Sequence, residues 1–128
     1  MIFKSKYYNI RTKASDGTVL DSVKEARRYE ELLILLKAGK IKELQRQVHY
    51  ELIPNQYETY ERFSKTGERL KDGNRLIERK VDYVADFVYR DAETGKTIVE
   101  DTKGVKTKDY IIKRKLMLYV HSIRIKEV

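Results

Sequence analysis

Cysteine is missing from this chain altogether. Its absence excludes disulfides, thiolate zinc sites and thiol catalysis, and it fits a reducing cytosol. Histidine is scarce as well: there are two, His49 and His121, too far apart in sequence to suggest a histidine-rich metal site. Proline occurs once, at position 54. No apolar run approaches the roughly 18 residues that span a bilayer. The first residues, MIFKSKYYNIRTK, lack the apolar core of a signal peptide. Internal repeats and low-complexity tracts are also lacking.

Charge is abundant. Of 128 residues 38% are charged, with a net charge of +8 and an isoelectric point near 9.5. Such a balance favours an anionic partner, nucleic acid first, against the plain alternative of a basic protein with none. The hydrophobic share, 41%, suits one domain with a modest core.

Residues 1–13 hold four basic side chains and no acid, with Tyr7 and Tyr8 among them, and read as an arm or a short first strand. Ser15 to Thr18 is a turn, followed by a brief extended piece at Val19-Leu20. The first helix is expected over 22–38. Ser22 with Glu25 fits a capping box, Ala26, Tyr29, Leu32, Leu33 and Leu36 form one apolar stripe, and Ala38-Gly39 supplies the stop. From Arg46 to Ile53 the pattern alternates, with Val48, Tyr50 and Leu52 on one face and Gln47, His49 and Glu51 on the other, closed by Pro54. His49 on that polar face reads as a surface group or a nucleic-acid contact. Residues 55–80 carry seven basic and five acidic side chains, with turn signals at Thr66-Gly67 and Asp72-Gly73. They read as an inserted hairpin or flap, either a solvated excursion or a clamp for DNA or a second subunit.

The central stretch is DFVYRDAETGKTIVEDTKG, from Asp86 to Gly104. Strands are expected over Val81–Tyr89 and Thr97–Lys103, joined by an Asp- and Gly-containing turn. On the second strand Asp101 and Lys103 point the same way, because side chains alternate. An acid facing an acid-x-Lys on its neighbour makes a small metal-binding pocket. The plain alternative is a salt-bridged hairpin. Asp82 falls on the same face as Asp86 and can equally be a strand-end ion pair. Glu100 points to the opposite face unless the register slips. A second helix is expected over about Thr107 to Val120, with Tyr110, Ile111, Leu116 (or Leu118) and Tyr119 toward the core. A last strand follows over Ser122 to Lys126. From Lys103 to Lys126 eight Lys or Arg stand against one acid, Asp109, as in a surface that tracks phosphates.

The element order, helix, three strands, helix, strand, together with Asp86 and Asp101-Thr102-Lys103 (14 residues between the two acids), resembles the PD-(D/E)XK nuclease superfamily. The phrases LDSVKEARRYEEL, LQRQVHYEL, VDYVADFVY and IVEDTKG look more narrowly like a phage and prophage family of small endonuclease-like proteins. That family is grouped with Holliday-junction resolvases and transposon-end nucleases. The likeness spans most of 19–126 and excludes the 55–80 excursion. One departure is Ala85, where the nominal motif has proline.

The resemblance implies an α/β fold with a restriction-endonuclease-like core, a mixed central sheet flanked by helices. It implies Mg²⁺, replaceable by Mn²⁺, held by Asp86 and Asp101 with the Thr102 carbonyl, and completed by Glu25 from the first helix. Oxygen ligands suit Mg²⁺, which offsets charge growing on phosphorus and acidifies the attacking water. Lys103 would orient that water or stabilise the transition state by charge. Gln47 would lie near the site, and Lys106, Lys113 and Lys115 would contact the DNA backbone. The implied substrate is branched DNA, cut by a homodimer without membrane association, in the cytoplasm of a bacterial host of a phage or prophage. The competing expectations are a non-catalytic nucleic-acid-binding module and a nuclease acting on ordinary duplex.

Overall fold

In the computed structural model, residues 10–128 are described; most of the basic N-terminal arm lies outside them. Two short strands, β1 (Thr12–Lys13) and β2 (Val19–Leu20), pair antiparallel. Helix α1 (Val23–Lys37) follows. Ser22 caps it, its hydroxyl accepting from the Glu25 N–H at 3.0 Å. Gly39, at φ 75°, turns the chain out of it. Ser22→Ala is expected to cost about 1 kcal/mol, read as a lower urea midpoint with an unchanged slope.

Strand β3 (Ile41–Ile53) begins earlier than the alternation suggested. Strands β4 (Gln56–Phe63) and β5 (Arg69–Glu78) form a two-stranded ribbon that pairs with nothing else among the described residues. Strands β6 (Val81–Asp91) and β7 (Thr97–Asp101) make the central hairpin. At its turn the Asp91 carboxylate accepts from the N–H of Glu93 and Thr94 at 2.8 and 3.0 Å. Helix α2 (Lys108–His121) is capped by Thr107, whose hydroxyl accepts from the Tyr110 N–H at 3.2 Å. Strand β8 (Lys126–Glu127) closes the order. No helix among the described residues is long and apolar enough to cross a membrane.

The main sheet runs β3-β6-β7-β8 and is mixed: β8 joins β7 in parallel, while the other pairs are antiparallel. Two cores flank it. Ala26, Tyr29 and Leu32 of α1 pack with Leu20, Ile41, Phe87 and Tyr89. Tyr110 and Met117 of α2 pack with Leu52, Tyr83, Ala85, Val88, Val99 and Ile125. Consecutive residues of β7, Ile98 and Val99, enter different cores. The two helices therefore lie on opposite faces of the sheet.

Two expectations about burial fail. Leu36, assigned to the α1 stripe, is exposed, whereas Leu33 and its neighbour Leu35 pack against the core. In α2, Tyr110 is buried and Ile111 and Leu116 pack against the core as expected, but Met117 is buried where Tyr119 was expected, and Leu118 and Tyr119 are exposed. Helical spacing allows either set; the phase is chosen by the contact of Tyr110 and Met117 with the sheet.

Besides two register shifts of β3 against β6, between Lys42 and Gln45 and between Glu51 and Ile53, the alternation along the sheet breaks beside Asp86. Tyr83 and Ala85 enter the α2 core, yet Phe87 and Tyr89, of the same parity, enter the α1 core. On β3, Val48 and Tyr50 pack on the α2 side, whereas the Arg46 guanidinium lies over the Tyr29 ring of α1 at 5.6 Å. Arg46 pairs with Phe87 and Val48 with Ala85, so no residue is inserted between them. The change of side is absorbed at Gln47, whose φ is 53°. A non-glycine residue there costs of order 1 kcal/mol. Across the ladder from Gln47 stands Asp86.

Candidate active site

Four elements converge on the break. Strand β6 carries Asp86, β7 ends at Asp101 two residues sooner than expected, with Thr102 and Lys103 just past it, helix α1 brings Glu25, and β3 brings Arg46 and Gln47. Phe87 pairs with Glu100, so one step further along the antiparallel ladder Asp86 stands opposite Asp101.

Asp101 is fully buried. Its Oδ2 accepts from the Tyr83 hydroxyl at 2.7 Å and lies 3.4 Å from Lys103 Nζ. Its Oδ1 is buried with no hydrogen-bond partner. Burial first, and then Asp86, push its pKa well above the carboxylate range. Asp86 Oδ2 accepts from the Thr102 N–H at 2.9 Å and the Thr102 hydroxyl at 2.8 Å. Thr102 thus engages Asp86 through its donors, which fixes the carboxylate that faces Asp101.

Glu25 is buried too, with Gln47 Nε2 3.4 Å and Arg46 Nη2 3.8 Å from Oε1. Burial, then the charges of Asp86 and Asp21, raise its pKa from about 4.5 to about 7. Asp86 therefore acts electrostatically on Glu25 on one side and on Asp101 on the other. Lys103 Nζ sits 4.7 Å from the centre of the Tyr110 ring, and the Lys103 carbonyl accepts from Lys24 Nζ at 2.9 Å.

Glu100 points away, as the alternation requires. Arg28 binds it in a fork, Nε to Oε1 at 2.8 Å and Nη2 to Oε2 at 2.7 Å, and the Tyr89 hydroxyl donates to it as well. Asp82 is a strand-end ion pair, 3.3 Å from Lys80 Nζ and 3.6 Å from His49 Nδ1. Of the expected backbone contacts, Lys106 lies 3.4 Å from Glu127, Lys113 is half-buried and Lys115 is exposed. Between Lys113 and Lys115, Arg114 is occupied by Glu127 at 3.2 Å.

Tyr83, Tyr110 and Arg46 are site neighbours that the sequence reading missed. A signal existed for Tyr83: a tyrosine on a buried strand needs a partner for its hydroxyl. Nothing local pointed to Arg46, because its direction follows from the turn at Gln47.

Among the described residues no three His, Asp or Glu side chains stand together as a metal-holding group. The donor pair nevertheless has the chemistry for a hard cation: opposed carboxylates, one with a buried oxygen lacking any donor.

Without metal the two raised pKa values carry a pH signature. Between about pH 4 and about pH 7 the folded chain holds protons on Glu25 and Asp101 that the unfolded chain releases. Stability in EDTA should therefore fall as pH rises through that window. Thermal melts from pH 5 to 8 test this, and Glu25→Gln should flatten the slope. An unchanged slope would mean that Glu25 is already ionised at pH 5.

Fold and site together define an α/β protein whose mixed sheet gathers a carboxylate pair and a lysine where β7 ends beside the middle of β6. The chain belongs to the family described as "Protein of unknown function (DUF1064)", whose model matches residues 4–126. No curated protein and no solved structure matches the chain.

Proposed function

We propose that this chain is a metal-dependent DNA endonuclease of the PD-(D/E)XK type, with a restriction-endonuclease-like core. The observation that carries the proposal is the opposition of Asp86 and Asp101 on paired strands, with an unpartnered Asp101 oxygen and Lys103 Nζ 3.4 Å from the other. The order α1, β3, β6, β7, α2, β8, with the ribbon as an insertion, supports it.

Asp86 and Asp101 would hold Mg²⁺ or Mn²⁺, with Glu25 nearby to complete the set. When bound, the cation would offset the charge growing on the phosphate and acidify the attacking water. The protein's own groups do the rest. Tyr83 pins Asp101 by one oxygen and leaves the other free. Thr102 holds Asp86 in place. Lys103, steadied over the Tyr110 ring, directs its ammonium toward the scissile phosphate. The basic residues of α2 and its approach, Lys106, Lys113 and Lys115, would follow the DNA backbone. By resemblance the substrate is branched DNA in phage recombination or replication, cut inside a bacterial host by a symmetric dimer.

Cleavage of a labelled four-way junction and of its matched linear duplex, in Mg²⁺ or Mn²⁺ with EDTA as control, tests this. Junction-only cutting supports the resolvase-like reading. Cutting of both substrates keeps the nuclease and removes the junction preference. A second reading, a nucleic-acid binder that does not cut, is favoured by the lack of a three-donor group among the described residues. Tight binding without cleavage under either metal would establish it.

A further inference from the structure

Two arginines, Arg28 and Arg46, lie between α1 and the sheet, and they are held very differently. Arg28 is fully committed. Its fork closes on Glu100 at 2.7 and 2.8 Å, and its Nη1 meets Glu31 at 2.8 Å. Arg46 is not. Among the described residues its guanidinium makes no hydrogen bond, its Nε is buried without a partner, and its one ion-pair partner, Glu25, stays 3.8 Å from Nη2. A charge-assisted hydrogen bond would close to about 2.7–2.9 Å. A buried donor left open in this way is costly, and folded chains keep few of them.

The backbone is bent to put Arg46 there. The next residue, Gln47, holds φ 53°, and the change of side at this point sends the arginine toward α1. Strain of that kind persists only where the surrounding structure imposes it, and it gathers at functional sites. The guanidinium lies over the Tyr29 ring at 5.6 Å, and Tyr29 stacks on Phe87 with ring centres 5.9 Å apart. Tyr29 is one turn along α1 from Glu25, so the guanidinium reaches from that ring to the edge of the carboxylate cluster. Lys103 is placed in the same manner, its ammonium 4.7 Å from the centre of the Tyr110 ring of α2. Because α1 and α2 lie on opposite faces of the sheet, the two cations approach the acids from opposite sides.

We propose that Arg46 is a further catalytic residue, gripping two oxygens of the substrate phosphate from the α1 side while Lys103 acts from the α2 side. The inference rests on the nuclease reading. A guanidinium carries its N–H donors in a planar fork that matches a pair of phosphate oxygens. Lying over a ring leaves those in-plane donors free. Neutralising Glu25 would call for a closed ion pair like that of Arg28 and Glu100, and Arg46 does not make one. The grip strengthens as charge grows on the phosphate, so its loss falls on kcat more than on KM.

Arg46→Lys and Arg46→Met in the full chain test it, through cleavage of labelled DNA in Mg²⁺ and binding of a linear duplex in EDTA. Lysine keeps the charge beside Glu25 but lacks the fork. Arg46→Lys should melt as wild type does, while kcat falls at least about tenfold and KM changes far less. Methionine removes one phosphate contact, so the plot of log affinity against log salt should become shallower by about 0.9. That slope is read at a temperature where each variant is folded, so it decides the matter even where a variant melts lower. Wild-type kcat in Arg46→Lys would overturn the proposal and leave Arg46 as the counter-charge of Glu25. So would an unchanged salt slope in Arg46→Met. A wild type that cuts no DNA under either metal would overturn the nuclease reading and this role with it, whereas unaffected variants beside a cutting wild type overturn this role alone.

Discussion

Asp101→Asn is expected to slow metal-dependent cleavage at least about a hundredfold, since the charge stabilisation at stake is several kcal/mol and each 1.4 kcal/mol is about a factor of ten. Asparagine matches the shape of aspartate and can still accept the Tyr83 hydroxyl bond of 2.7 Å. What it removes is the buried charge and its repulsion with Asp86, the causes that raise the Asp101 pKa. In EDTA at pH 8 the variant should therefore melt at or above the wild-type temperature while losing activity. That combination separates lost chemistry from lost folding, because a site that crowds acids together costs stability in the metal-free chain. Initial rates in saturating Mg²⁺ beside melts in EDTA would decide it. Wild-type rates from Asp101→Asn would remove Asp101 from the active site and return the pair to a salt-bridged hairpin.

The largest loss of stability is expected from Arg28→Met. Glu100 is fully buried, and Arg28 supplies two of its three hydrogen bonds. Removing the guanidinium leaves a buried carboxylate with only the Tyr89 hydroxyl, at a cost of about 3–5 kcal/mol. Against a total of about 5–15 kcal/mol for a domain, such a loss brings the chain close to unfolding. The double variant Arg28→Met/Glu100→Leu should recover most of it, because no unpaired charge then remains. Urea titration of the three proteins measures both effects, and a loss under about 0.5 kcal/mol in the single variant would mean that water reaches Glu100. Arg28 lies one turn along α1 from Glu25, and Glu100 is next to Asp101. The pair thus ties the two elements that carry the candidate site.

Local rules sufficed for much of this. The Ser22 cap, the positive φ at Gly39, the Asp91 turn and the Thr107 cap are each satisfied within a few residues, which is why they were legible. Alternation also placed Glu100 opposite Asp101, and Arg28 takes it on the far face. The phase of α2 was legible in part: Tyr110, Ile111 and Leu116 face the core as expected, but apolar residues on both sides of the helix hid that Met117 rather than Tyr119 completes that face. The sheet selected Tyr110 and Met117 and left Tyr119 outside.

Turns, caps and period-two alternation are local properties, and from them alone follow the α/β composition and the placing of Asp86 and Asp101 on adjoining strands; Lys103, expected on the second of these, falls just past its end. That alternation changes side at Gln47 and Asp86 emerges only when the helices pack on the sheet. Only the tertiary structure decided, too, that Glu25 from the distant helix comes within reach of the charge on Asp86, and that one Asp101 oxygen is left without a partner. The physical reason is that these outcomes depend on how α1 and α2 pack on opposite faces of one twisted sheet. That packing sums contacts between residues far apart in the chain, and no local pattern encodes the sum.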